Sequence, residues 1–342
     1  MEAAETGARG AIGDHARALR RLREGIGAVL EGLDETIELS VACLVAGGHL
    51  LLEDVPGTGK TTLARALARA SGLDFKRVQM TADLLPADVT GARYPTLEGL
   101  SGAAGGSAFR GATELSFVPG PLFSQVVLAD ELNRTPPRTQ SALLEAMAEG
   151  RVTVEGERHE LPRPFFVVAT QNPIEFAGTF PLPESQLDRF MMRLAPGYPG
   201  RDAERRMLRG RRSARSIDHV ESWMDSETIL AARAAVDGVV VAAPVEEYLL
   251  DLVAATRTSP EFVLGASPRA TLDLDRAARA LALMDDRDHV VPEDLRRLVA
   301  PVLAHRLVLH DARHDGSDAR AALGSAVAQV ATPQVRPDGS LD

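Results

Sequence analysis

Residues 50–70 fix a strand, a glycine turn and a helix in that order, and few folds accommodate it. The chain reads Leu50-Leu51-Leu52-Glu53, then Asp54-Val55-Pro56-Gly57-Thr58-Gly59-Lys60-Thr61-Thr62, then an apolar-periodic run from Leu63 to Ala70. Glycines at 57 and 59 let the backbone curl until its N–H groups point inward at an anion. The helix that follows adds its positive N-terminal end. Lys60 can reach the terminal phosphates of a nucleotide, and the Thr61 hydroxyl can ligate magnesium. Asp54 through Thr62 are therefore the candidate nucleotide-binding residues. The usual loop pattern opens on glycine, and here that place is held by Asp54.

A second constellation follows about 70 residues later. Val126-Val127-Leu128-Ala129 is an apolar strand that ends in Asp130-Glu131. In a doubly wound sheet the carboxyl ends of strands face the ligand crevice. Asp130 is then expected near the metal held by Thr61, with Glu131 free to orient a water. The strand Phe165–Ala169 leads into Gln171-Asn172, where an Asn amide can hold both that water and the γ-phosphate. Thr135, before Pro136-Pro137, is expected to cap the next helix. Ser267-Pro268-Arg269 reads as a capped helix start that leaves Arg269 pointing outward. Arg189, in Leu187-Asp188-Arg189-Phe190, is not assignable to its own site by spacing.

Strand-like runs at 50–53, 75–79, 126–129, 165–169 and 191–194, with helical patterns between several of them, predict a parallel sheet with crossover helices. Their apolar character on both faces is what a covered parallel sheet requires. Leu19, Leu22, Ile26, Val29 and Leu30, then Ile37, Val41, Leu44 and Val45, predict a helix pair ahead of the sheet. Gly150–Leu161 reads as a small hairpin, and Pro196-Gly197-Tyr198-Pro199-Gly200 as a boundary. Helical patterns dominate beyond it. The expected organisation is a flexible N-terminus at 1–14, an α/β nucleotide-binding domain at 15–197, a small helical domain at 198–331 and a disordered tail at 332–342.

Composition narrows the class. The 342 residues carry a net charge of −10, which argues against a general nucleic-acid binder. The arginines between 205 and 215 read as a solvated helix face. No apolar stretch reaches the length of a membrane span and no signal core opens the chain, so a cytoplasmic protein is the expectation. The single Cys43 excludes an internal disulfide and sits in an apolar run, as a buried thiol would. His305, His310 and His314 do not complete a metal sphere of known spacing.

Over residues 20–310 the ordered motifs resemble the MoxR family of AAA+ ATPases. The distinctive segments are His49–Thr61, Phe117-Val118-Pro119-Gly120-Pro121-Leu122-Phe123, Asp130–Pro137 with Thr139–Met147, and Ala169–Arg189 containing Gly178-Thr179-Phe180-Pro181-Leu182-Pro183-Glu184. An acidic residue at position 54 is familiar in that family. The resemblance implies a P-loop AAA+ core with parallel sheet and flanking helices, plus a small all-helical lid. It implies ATP and Mg2+ as cofactors and a homohexameric ring. It makes Asn172 the sensor-1 residue, Arg269 the sensor-2 residue and Arg189 an arginine finger inserted into a neighbour's site, with Lys60 and Glu131 completing the catalytic set and Thr61 and Asp130 the metal ligands. Residues near 90–117 become the helix-2 insertion and 150–161 the pre-sensor hairpin. The Gly-rich stretch 99–111 is longer than the family pattern, and Gly32-Leu33-Asp34-Glu35 stands where a Gly-Gln pair is common.

The implied function is an ATP-driven chaperone that remodels or matures partner proteins, with a von Willebrand A domain protein as client or adaptor. Two other classes share much of the site: a nucleic-acid motor or loader, and a chelatase-like nucleotide-dependent switch. The hairpin at 150–161 carries Glu155, Glu157 and Glu160 against Arg151 and Arg158, which is not a basic pore loop.

Overall fold

The computed structural model describes residues 2–53, 57–95, 115–172, 178–210, 217, 220–310 and 317–333. Asp54, Val55 and Pro56, the Gly-rich stretch 99–111, His314 and the tail from 334 lie outside them.

Helices α1 (Glu2–Gly27) and α2 (Asp34–Val45) form the expected pair. The helix starts at Glu2, so most of the stretch read as flexible is helical backbone; its alanines favour that state. There follow β1 (Leu50–Glu53), α3 (Lys60–Ala70), β2 (Phe75–Gln79), α4 (Pro86–Thr90), β3 (Gly91–Pro95), β4 (Leu115–Pro119), β5 (Val126–Asp130), α5 (Pro137–Glu149), β6 (Arg151–Val154), β7 (Glu157–Glu160), β8 (Phe166–Gln171), α6 (Glu184–Leu187) and β9 (Met192–Leu194). Residues 195–200 carry no regular element. Beyond them come α7 (Arg201–Gly210), α8 (Ser226–Asp237), α9 (Ala243–Thr258), β10 (Phe262–Leu264), α10 (Pro268–Met284), α11 (Pro292–Leu303), β11 (Val308–Leu309) and α12 (Ser317–Val327). The C-terminal part is not purely helical, because β10 and β11 pair as a short antiparallel ribbon.

Five strands make one parallel sheet in the order β2-β5-β8-β1-β9. Both faces are covered. Leu50, Leu52, Leu128, Phe166 and Val168 join α1, α2, α3 and the helices α8 to α11 in one continuous core. Leu51, Val127, Ala129, Val167 and Ala169 face α5 and the hairpins instead. Cys43 is buried in the first core, and burial pushes its thiol up. The hairpins β3–β4 and β6–β7 meet through stacked Phe117 and His159, 3.9 Å between centroids, and through the Arg93–Glu157 pair.

Thr135 does not cap α5. That helix starts after Pro136, without a side-chain cap, and the buried Thr135 hydroxyl donates instead to the Thr81 carbonyl, 3.0 Å away. The two prolines set the first turn by themselves. Ser267 does cap α10, accepting from Ala270 N at 3.1 Å.

Candidate functional site

Register sets the site. Leu52 pairs with Thr170 and Glu53 with Gln171, while Ala129 pairs with Ala169 and Gln79 with Asp130. The carboxyl ends of β1, β5 and β8 therefore finish at one level, beside the loop that enters α3. β1 lies between β8 and β9, far from its sequence neighbour β2, so the crevice opens where the strand order reverses.

A cavity of about 360 Å³ occupies that position, lined by Gly57, Gly59, Lys60, Thr61, Thr62, Asp130, Glu131, Thr170, Gln171 and Asn172. Gly57 and Gly59 have φ of +88° and +89°, a backbone that side chains resist. Gly59 is the N-cap of α3, and Leu63 N donates to its carbonyl at 2.8 Å. The start of α3 thus turns the amides of its first turn toward the cavity. Leu30, from the turn between α1 and α2, reaches to 3.5 Å from where a Gly59 Cβ would stand.

The two acids are held differently. Asp130 is buried; its Oδ1 accepts from the Thr170 hydroxyl at 2.7 Å and its Oδ2 from Arg77 Nη2 at 2.6 Å and Nε at 3.0 Å. Glu131 has φ +60°, an uncommon backbone for a non-glycine residue and a mark of strain kept at a site. Its N–H donates to the same Thr170 hydroxyl at 2.8 Å. Its Oε2 accepts from Gln79 Nε2 at 2.9 Å and pairs with Arg134 at 3.2 Å. Arg77 Nη2 also donates to Gln79 Oε1 at 2.9 Å, so one edge strand bridges both carboxylates. Phe180, from the Gly-Thr-Phe-Pro motif, donates its N–H to Asn133 O at 2.6 Å, and Gln140 Nε2 donates to Phe180 O at 3.1 Å. That motif packs against the turn following Glu131.

Eight residues singled out in the sequence meet here: Gly57, Gly59, Lys60, Thr61, Thr62, Asp130, Glu131 and Asn172, while Thr58 is buried in the loop. Thr170, Gln79 and Arg77 were missed. The alternation of polar Arg77 and Gln79 on one face of an edge strand was the available signal.

Arg189 and Arg269 are not among the described residues lining the cavity. Leu50 pairs with Met192, so Asp188–Met191 lie before the first residue of β9, at the amino ends of the strands. Arg189 Nη1 donates to Leu144 O at 2.6 Å, in the second half of α5. Ser267 Oγ donates to Asp188 Oδ1 at 2.9 Å, which brings the start of α10, and exposed Arg269 with it, to that same end. A four-residue strand at about 3.3 Å per residue separates the two ends by roughly 10 Å. Neither arginine joins its own chain's cavity in this arrangement. His305, considered above for metal, is buried and hydrogen-bonded to Phe190 O at 2.9 Å.

A parallel sheet whose strand ends gather a phosphate loop and two acids, followed by a helical bundle, defines a nucleotide-dependent ATPase module. Residues 49–192 match the ATPase family associated with various cellular activities (AAA), and residues 254–325 match the AAA lid domain. The chain is 44% identical over 315 residues to the uncharacterized protein YeaC of Bacillus subtilis, covering 92% of this chain and 94% of that protein. It is 36% identical to the chaperone MoxR1 of Mycobacterium tuberculosis, covering 90% and 80%. A crystal structure of a candidate ATPase from Cytophaga hutchinsonii superposes with a TM-score of 0.84 at 32% identity, covering 96% and 99%. The chain belongs to the MoxR family of AAA+ ATPases.

Proposed function

We propose that the chain hydrolyses ATP with magnesium in a closed head-to-tail ring, a hexamer, and uses the cycle to remodel or mature partner proteins in the cytoplasm. The observation that carries this reading is the separation just described: acids and phosphate loop at one end of the sheet, Arg189 and Arg269 at the other. A head-to-tail contact sets one end of a copy against the opposite end of the next, and such contacts close into rings when the rotation permits. Each site would then draw its acids from one copy and both arginines from its neighbour.

Within one copy Lys60 and the amides at the start of α3 grip the β- and γ-phosphates. Thr61 and Asp130 offer the hard oxygen donors that magnesium prefers. Magnesium, when bound, supplies positive charge against the phosphate oxygens. Glu131 accepts a hydrogen bond from the attacking water and aims it at the γ-phosphorus, and Asn172 holds the water and the phosphate together. Thr170 keeps the two acids in register. Asp54, Val55 and Pro56 belong to the binding set through the sequence motif. Arg189 from the neighbour stabilises the charge spread over the transferred group, and Arg269 from the same neighbour adds a second contact.

Arg189→Ala should bind nucleotide as the parent does and lose about 10³-fold or more in turnover, the usual worth of an arginine finger. Normal turnover by that variant would remove Arg189 from the site. The client is proposed to be, or to be reached through, a protein with a von Willebrand A domain, following the family. Glu131→Gln, which should bind ATP without cleaving it, is the bait: a von Willebrand A protein retained on it with ATP and absent with ADP supports the assignment, and its absence from both opposes it.

A further inference from the structure

The end of the sheet that carries Arg189 is built around one buried guanidinium. The Arg306 side chain is 1% exposed. Its Nη2 donates to Phe190 O at 2.8 Å, to Asp273 Oδ2 at 2.5 Å and, at a longer 3.4 Å, to Asp188 O. Its Nε lies 3.4 Å from Asp188 Oδ1. The residues on both sides of Arg189 are thus gripped by one cation. Asp188 Oδ1 also takes the hydroxyl of Ser267, and Asp273 sits in the second turn of α10. That helix begins with the turn bearing Arg269.

A cation this deep needs partners of opposite charge and carbonyls in several directions, which a rigid fork of donors can meet and an ammonium cannot. Apolar side chains in place of the whole charged cluster would fill the space as well or better if filling were its only duty. Apart from Nε2 of the preceding His305, 3.3 Å from Nε, the atoms it meets belong to the segment holding Arg189 and to the helix holding Arg269. α6 ends at Leu187, so no regular element anchors residues 188–191 before β9 begins.

We propose that Arg306 is a positioning residue. It sets Arg189 for the nucleotide of the neighbouring chain and locks it to the helix that presents Arg269, so that any swing of the helical domain moves both arginines together. This rests on the two-chain site proposed above.

The test uses the full chain in assembled form and mixes variants. Arg306→Lys keeps a charge but cannot hold both flanks; Asp273→Asn is nearly isosteric and weakens only the tie to α10 by removing its charge. Both should bind a fluorescent ADP analogue within about twofold of the parent, because their own cavities are untouched. Turnover should fall about 100-fold in Arg306→Lys, the cost of a misplacement near 1 Å, and about tenfold in Asp273→Asn, with the loss in kcat and not in KM. Mixing either with an equal amount of Glu131→Gln protein should restore turnover severalfold, since that partner lends a well-placed Arg189 to an intact cavity. An Arg189→Ala and Glu131→Gln mixture is the control. Recovery in the control without recovery of Arg306→Lys or Asp273→Asn would overturn the role of Arg306 alone. Unchanged turnover in both variants would do the same. No recovery in the control would refute the two-chain site itself.

Discussion

Two arginine–carboxylate assemblies sit at opposite ends of the same sheet, and they differ in how water reaches them. At the cavity, Arg77 is 50% exposed where it meets Asp130. At the other end, Arg306 is 1% exposed where it meets Asp273. An exposed cation can leave its carboxylate at little cost and be replaced by another cation. A buried one cannot leave, because two charges stripped of water would remain. The first end is therefore suited to exchange and the second to permanence. On the proposed two-chain reading, ligand arrives at one, and the arginines for a neighbour are held at the other.

The buried end should give the largest response in stability. Arg306→Met leaves Asp188 and Asp273 without their cation, and truncating one member of a buried charge group costs about 3–5 kcal/mol. Urea unfolding of the isolated variant and parent measures it. A loss below about 1 kcal/mol would mean that the buried end is no more rigid than the exposed one, and the contrast would fail.

Acid should attack the same end next. His49 Nδ1 accepts from Val167 N at 3.0 Å, and its Nε2 lies 3.2 Å from Met147 O, so only the neutral ring fits. Burial pushes its pKa down to about 4 and pushes that of His305 well below the usual value. For a histidine lowered in the folded state, the unfolded chain takes up the proton first. Stability is then full above about pH 6.5 and falls as pH drops toward 4, by at most about 3 kcal/mol for His49 at 1.36 kcal/mol per unit. Hydrogen exchange at pH 5 should show Val167 and Phe190 opening before Thr170. Uniform opening across the sheet would erase the difference between the ends.

Most of this architecture was legible in the chain because the signals were local. Leu50–Glu53, Lys60–Ala70 and Val126–Asp130 carry their structure in their own periodicity and glycines, and the sheet places them where strand–loop–helix chemistry requires. The side of Arg189 was not legible. Its position depends on β9 entering beside β1, with Leu50 opposite Met192, a pairing between residues more than 140 apart. Arg306 was invisible for the same reason: nothing near it in sequence marks a buried cation. Thr135 misled because a good capping residue found a better partner in Thr81, brought by tertiary packing.

Thr170 tests the cavity end more gently. Its hydroxyl both donates to Asp130 and accepts from Glu131 N, so Thr170→Val keeps the shape and removes two bonds. A buried hydrogen bond to a charged group is worth about 1.5–3 kcal/mol. Turnover should fall about 10–100-fold with nucleotide binding retained, read by steady-state phosphate release beside equilibrium binding. A loss of binding with no further loss of turnover would show that Thr170 shapes the loop and not the acids.

The smallest effect, and the one that separates exchange from permanence most directly, belongs to Arg77. Its guanidinium lies on Oδ2 of Asp130, the carboxylate proposed to face magnesium, while Thr170 occupies Oδ1. A half-exposed pair contributes about 0.2–1 kcal/mol, so Arg77→Met should unfold in urea almost as the parent does. The same substitution frees a carboxylate oxygen for a competing cation. The magnesium concentration that half-saturates binding of a fluorescent ATP analogue should fall by about threefold, which at 1.4 kcal/mol per tenfold is about 0.7 kcal/mol, within the same range seen from the other side. Titration of magnesium at fixed analogue reads it. A rise in that concentration would mean that Arg77 orients Asp130 for the metal, as Arg306 orients its segment, and the two ends would then share one design.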